Sequence, residues 1–260
     1  MTVHDRTVPL AHEPSGLLAL VGGDEFRAGN EPHDSMLATS ARGPAFVIAT
    51  AAARSRPELA VRHAQAWFER FGLDLVELAV YTRAQAQNAQ LAARAAGAGF
   101  CYLPGGDPGL VASVLRDSPV GNAIVAAWAN GAALAGSSAG AMALCADTLV
   151  RQSFPGHTQR RAVRGLDVVP GAAVLPHHDT FGAKWYPSAR AALPDAVLIG
   201  IDERTCAMWD SGAWRCLGAG GVTVYVPGND PVRSTSGVLM GIPQPTAHGR
   251  SVASRRPGPD

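Results

Sequence analysis

Over the first 146 residues, short apolar runs alternate with stretches of helical spacing, and this alternation restricts the fold more than any other feature. LLALVGG (17–23), AFVIATAA (45–52), LDLVELAVY (73–81), GFCYLPGGD (99–107) and GAALAGS (131–137) read as five strands. Between them, PELAVRHAQAWFERFG (57–72) puts Leu59, Val61, His63, Ala66, Trp67 and Phe71 mostly on one face and stops at Gly72. AQAQNAQLAARAAG (84–97) is an alanine-rich helical stretch, and two shorter ones fall within 109–116 and 120–130. AGAMALCA opens another helix directly after the fifth strand. Strands buried on both faces read as continuous apolar runs, and regular strand–helix alternation makes a parallel sheet covered on both sides. The expected fold is therefore α/β, a three-layer sandwich around a central, mostly parallel sheet.

The second half is less regular. Residues 147–167 (DTLVRQSFPGHTQRRAVRGLD) are polar and read as a long loop or lid. AAVLPHHD (172–179) and AVLIGIDE (196–203) read as strands, with a helix between them over 182–193. CAMWDSGAWRCLG (206–218) turns around Asp210-Ser211-Gly212, which predicts a β-hairpin, and GVTVYV (221–226) is a last strand. These readings give a flexible leader over 1–15, one α/β domain over 16–230, and a C-terminal segment over 231–260. The tail is rich in Pro, Ser and Arg and is expected to be disordered from about residue 241.

Composition removes several function classes. With 47% hydrophobic and 17% charged residues the chain is globular, and a net charge of +1 argues against a nucleic-acid or membrane-surface partner. Cys101, Cys145, Cys206 and Cys216 form no CxxC pair, so neither a zinc knuckle nor a dithiol motif is expected. No apolar run reaches the ~18 residues of a membrane span, and the N-terminus lacks a signal-peptide core; the reading is a soluble cytoplasmic protein. No cofactor is implied. Gly22-Gly23-Asp24-Glu25-Phe26 lacks the spaced glycines of a dinucleotide turn.

The chemistry centres on Gly136-Ser137-Ser138-Ala139-Gly140, which has the G-x-S-x-G form of a nucleophile elbow between a strand and a helix. Small flanking residues let the serine occupy a strained turn, with the following N–H groups beside the reacting oxygen. The bland alternative is a small-residue packing turn. A serine needs a base, which histidine usually supplies, oriented by a carboxylate. Of the eight histidines, His177 and His178 stand at a strand end, where catalytic groups gather in open α/β sheets. Adjacent side chains on a strand diverge, which argues against a metal at His177-His178-Asp179, so no metal site is expected. Pro104-Gly105-Gly106-Asp107 offers a bare N–H for an oxyanion hole, or an ordinary turn with Asp107 as a helix cap.

Taken together, LVGGDE (20–25), YLPGGD (102–107), LAGSSAGAMAL (134–144), GLDVVPGAAVLPHHD (165–179) and IGIDERTCAMW (199–209) resemble the cyanophycinase and dipeptidase E family of serine peptidases. The resemblance covers roughly residues 16–226 and is strongest to the cyanophycinase branch. It implies a fold like the class I glutamine amidotransferases. It also implies Ser138 as nucleophile, His178 as base, Glu203 as the orienting acid with Asp202 as fallback, and the N–H groups of Gly106 and Ala139 as the oxyanion hole. Asp107, Pro108 and His177 would then face substrate.

The departures are informative. Where cyanophycinases follow the GGD turn with glutamine, this chain has Pro108; where they carry Asp-Gln before the catalytic histidine, it has Pro176-His177. Their arginines after that histidine are replaced by DTFGAKWYPSAR, with only Lys184 and the more distant Arg190. The expected substrate is therefore a small peptide, isopeptide or amino-acid amide rather than cyanophycin, with homodimer formation left open. Two other readings compete. An α/β-hydrolase esterase would need Asp210 or Asp230 with His248. A catalytically lapsed scaffold would only bind a small molecule.

Overall fold

The computed structural model describes residues 15–152 and 159–247. The chain runs β1 (Leu18–Val21), α1 (Glu31–Ser40), β2 (Ala45–Val47), α2 (Pro57–Glu69), β3 (Leu75–Glu77), α3 (Arg83–Ala86), α4 (Ala89–Ala96) and β4 (Phe100–Leu103). It continues through α5 (Pro108–Leu115), α6 (Pro119–Ala129), β5 (Ala133–Ser137) and α7 (Ala139–Leu144). Next come β6 (Asp147–Arg151), β7 (Arg160–Arg164), β8 (Ala172–Leu175), α8 (Tyr186–Ala192), β9 (Val197–Ile201) and β10 (Thr205–Asp210). The last strands are β11 (Ala213–Gly218), β12 (Val222–Tyr225), β13 (Val232–Ser234) and β14 (Gly237–Leu239).

Eight strands form the central sheet in the order β14-β11-β10-β1-β5-β4-β2-β3. The five strands expected from the apolar runs are mutually parallel, and β10 closes onto β1 antiparallel. Alternate side chains supply two cores, one on each face. Ala19, Val21, Ala135 and Tyr102 pack on one side with Leu37 of α1 and Trp67 and Phe68 of α2. Leu18, Leu20, Leu134 and Leu103 pack on the other with α5, α6 and α7. Pro108 and Pro119 begin α5 and α6, where a missing N–H costs nothing, and the side chains of Asp107 and Ser118 cap those helices.

A second sheet, β13-β12-β9-β8, packs against the same face as α7, and its β8–β9 pair is parallel. The expected hairpin over 206–218 is present as β10–β11, turning through Ser211 and Gly212 at positive φ, and it lies within the central sheet.

Several sequence expectations change in detail. The 45–52 run is a strand only to Val47, with a 3₁₀ turn over Thr50–Ala52. The 84–97 stretch is two helices, because Asn88 accepts hydrogen bonds from Gln90 and Leu91 and restarts the chain as a cap. Residues 24–44, which carry no expected element, hold α1. The 147–167 segment is a hairpin, β6 pairing with β7 from Asp147↔Arg164 to Arg151↔Arg160. The fold also continues past residue 230. β13 and β14 join the two sheets, Ile242 is buried, and the Trp214 indole donates to the Pro243 carbonyl. Disorder from residue 241 is thus corrected for 241–247, which are held by these contacts. The remainder of that tail, and residues 1–14 of the leader, lie outside the described residues. No helix among the described residues is long and apolar enough to cross a membrane.

Candidate active site

Ser138 follows β5 and precedes α7, with φ 47° and ψ −109°. Such a conformation costs a non-glycine residue about 1–3 kcal/mol and persists only where its surroundings enforce it. The surroundings here are tight. A Cβ on Gly136 would lie 2.5 Å from the Gly140 carbonyl carbon, and one on Gly140 would lie 2.0 Å from the Leu103 carbonyl oxygen. The Ser138 N–H donates to the Val21 carbonyl at 2.9 Å, tying the turn to the end of β1. The glycines of the elbow are therefore steric necessities, and the turn leaves the hydroxyl facing a cavity of about 670 Å³.

The second sheet brings an imidazole to this hydroxyl. His177 sits just past β8 with φ 50°, and its N–H donates to the Gly22 carbonyl at 2.8 Å. That turn aims its ring at the elbow. Nε2 lies 3.0 Å from Ser138 Oγ, and Nδ1 lies 2.8 Å from Glu203 Oε1. Phe181 stacks on the ring, centroids 4.7 Å apart at 22°. Glu203, just beyond β9, is placed by its own N–H donating to Asp179 Oδ1 at 3.0 Å, and Thr180 Oγ1 also donates to it. A hydroxyl, an imidazole and a carboxylate thus stand in one hydrogen-bonded line.

His178 is not part of that line. The expectation that it faces Ser138 is corrected by the divergence of neighbouring side chains at the strand end. Its N–H pairs with the Ile201 carbonyl at 3.0 Å, and its ring turns back into the second sheet. Its Nε2 lies 3.0 Å from the Tyr225 hydroxyl. Burial, the largest influence, lowers its pKa, opposed by Asp202 and reinforced by Arg233. Asp202 is likewise withdrawn: it is 2% exposed, accepts from the Gly221 N–H at 2.8 Å, and is gripped by the Arg233 guanidinium. The fallback acid belongs to this inner cluster, and His177, expected to touch substrate, holds the place beside the serine.

Gly106 and Ala139 line the cavity together with Ser138, as do Asp107 and Pro108. Gly106 has φ 144°, and a Cβ there would lie 2.3 Å from the Ala51 carbonyl oxygen, so the bend accepts only glycine. Ala139 opens α7, where the first N–H groups of a helix have no intrahelical acceptor. Asp107 caps α5 through Leu110 and lies 3.9 Å from Arg54.

One residue of the site escapes sequence reasoning. Glu25 accepts from the Gly105 N–H at 2.8 Å and from Ser137 Oγ at 2.8 Å, pinning the GGD turn to the elbow. Its only trace in the sequence is its place in LVGGDE, where nothing marks it as a cross-link.

Among the described residues, neither acid of the esterase alternative stands near Ser138. Asp210 ends β10 opposite the start of β1, at the far end of the sheet from Ser138. Asp230 lies beyond Tyr225, which pairs with the start of β9, away from Glu203. His248 lies outside the described residues.

Comparison with known proteins identifies the family and the fold. The family model for Peptidase family S51 matches residues 18–213. The cyanophycinase of Trichormus variabilis is 30% identical over 221 residues, covering 82% of this chain and 74% of that protein. The cyanophycinase of Synechococcus elongatus is 29% identical over the same length, covering 82% and 68%. A crystal structure of a peptidase from an acI-B1 Actinobacterium superposes with a TM-score of 0.74 at 28% identity, covering 86% of this chain and 95% of that one. A Listeria monocytogenes protein assigned provisionally to peptidase E shares the fold, with a TM-score of 0.57 at 15% identity, covering 82% and 99%. With the serine elbow at its centre, this chain belongs to peptidase family S51, the cyanophycinase and dipeptidase E family of serine peptidases.

Proposed function

We propose that the chain hydrolyses a peptide, isopeptide or amide bond in a small substrate through an acyl-enzyme on Ser138. The observation that carries this is the line Ser138 Oγ–His177–Glu203, with separations of 3.0 and 2.8 Å. These lie within the reach required of a general base and its orienting group. His177 Nε2 takes the hydroxyl proton as Oγ attacks the carbonyl carbon. Glu203 holds the Nδ1–H tautomer and stabilises the imidazolium that forms. The N–H groups of Gly106 and Ala139 hold the developing oxyanion. The imidazolium then protonates the leaving amine, and water, deprotonated by the same ring, releases the acid product.

A small substrate is supported by the cavity of about 670 Å³, within the usual range for small-ligand pockets. Relatives named cyanophycinase suggest the isopeptide branch of this chemistry, but the stretch after His177 lacks the arginines by which that branch reads its substrate. The test is to incubate the enzyme with a panel of dipeptides, β-linked isopeptides and amino-acid amides, quench early, and weigh the protein. The expected result is an acyl adduct on Ser138 and turnover that falls by several orders of magnitude in Ser138→Ala. Hydrolysis at an unchanged rate in that variant would remove the proposal.

A further inference from the structure

The β6–β7 hairpin places an arginine in the wall of the Ser138 cavity, and among the described residues its side chain has no hydrogen-bond acceptor. Arg160 is 8% exposed, its guanidinium carbon lies 3.8 Å from the Trp185 ring centroid, and its Nη1 is buried with no hydrogen-bond partner. A buried cation without an acceptor is costly, and stacking on an indole recovers only part of that cost. The residue is fixed from behind, since its backbone N–H donates to Ser188 Oγ at 3.1 Å. The rest of the wall points the same way. The cavity also carries Arg54 and Arg151 against a single carboxylate, Asp107. An adjoining cavity of about 490 Å³ along the same hairpin is lined by Arg54, Arg116, Arg151, Arg161 and Arg164 with Asp107; Arg116 pairs with Asp117, and Arg164 with Asp147 and Asp167.

We propose that Arg160, held flat on Trp185, is a specificity-determining residue that binds a carboxylate of the substrate in the Ser138 cavity. This rests on the reading of that cavity as the substrate site. A guanidinium presents paired donors that match a carboxylate, which supplies the missing acceptor and the missing negative charge together. The neighbouring charge of Arg151 adds attraction for an anion and none for a carboxamide. The acid-reading function thus comes from the hairpin on one side of the cavity, and not from the helix after His177, where Lys184 and Arg190 stand. Arg190 is in any case occupied, donating to the carbonyls of Leu193, Pro194, Ala196 and Tyr225.

The test separates binding from turnover. Matched dipeptides that differ only by carboxylate against carboxamide, at the side chain or at the C-terminus, are titrated calorimetrically into Ser138→Ala. One carboxylate member is expected to bind about 10–100-fold tighter than its carboxamide twin. Adding Arg160→Met, which keeps an apolar stem but removes the guanidinium, should bring that ratio to within about threefold. Adding Arg160→Lys should keep most of it. The proposal is overturned by a ratio that Arg160→Met leaves unchanged, or by equal binding of every pair. It is also overturned if Arg160→Met weakens both members alike, which marks a purely structural arginine. Turnover of the same pairs by the wild type reports separately: an intact ratio without hydrolysis overturns the peptidase mechanism and leaves the carboxylate site standing.

Discussion

Glu25 accepts hydrogen bonds from two elements that the chemistry needs in register, the GGD turn through Gly105 and the elbow through Ser137. Glu25 therefore ties together the residues that immediately precede Gly106 and Ser138. Glu25→Ala removes both hydrogen bonds and should lower kcat by about 10²-fold, the scale of a 1 Å misplacement, with a smaller change in KM. Glu25→Gln keeps an acceptor for Gly105 and a polar partner for Ser137, and should recover most of the loss. Steady-state kinetics of the two variants check this, and equal losses in both would show that charge, and not position, is what Glu25 supplies. At this scale residues that line the cavity or join the hydrogen-bonded line were named from the sequence: Ser138, Gly106 and Ala139 from motif and steric need, and Glu203 from the family resemblance. The choice between His177 and His178 was not legible there. That choice depends on a positive φ at a histidine, which no neighbouring glycine announces.

At the scale of elements, α1 carries a buried pair that the apolar pattern does not disclose. His33 and Asp34 are both fully buried, and the Trp67 indole of α2 donates to Asp34 Oδ2 at 2.8 Å. Burial pushes the Asp34 carboxyl up to about 8 and pulls His33 down to about 3, so both are neutral at pH 7. The folded state then holds more protons than the unfolded chain at Asp34 from about pH 4 to 8, so stability falls as pH rises through that window. His33 acts oppositely from about pH 3 to 6.5 and offsets it there. Between pH 6.5 and 8 Asp34 acts alone, with a slope of at most about 1.4 kcal/mol per pH unit. Urea unfolding should therefore show stability declining over pH 6.5–8 in the wild type. It should be nearly flat in Asp34→Asn, whose amide oxygen still accepts from Trp67. Parallel curves would contradict it. Helix α1 went unread because its buried face includes His33 and Asp34 alongside Leu37 and Ala38, which blurs the apolar stripe. The β6–β7 hairpin went unread for a related reason: Arg151, Arg160, Arg161 and Arg164 make its strands look like solvent-exposed loop.

The whole molecule divides the catalytic line between two sheets. Ser138 rises from the end of β5 in the large sheet, while His177 and Glu203 come from the ends of β8 and β9 in the small one. The loop after β1 joins them, since the Gly22 carbonyl accepts from His177 and the Gly23 carbonyl from Arg204. The parallel order of the first five strands could be read from their unbroken apolar runs. That the later strands split into a second sheet could not, because pairing partners distant in sequence leave no periodic trace. Nor could the folding of residues 231–247, whose polar text conceals the burial of Leu239 and Ile242. The central claim is that the working histidine is His177 and that its neighbour only packs. Its most direct test is the rate of fluorophosphonate labelling of the intact chain, with the modified residue located by mass spectrometry. The account predicts adduct on Ser138, none in Ser138→Ala, a rate lowered at least about 10³-fold in His177→Ala, and a rate within a few-fold of wild type in His178→Gln. Labelling that survives the loss of His177 and disappears with His178, or an adduct on another serine, would contradict it.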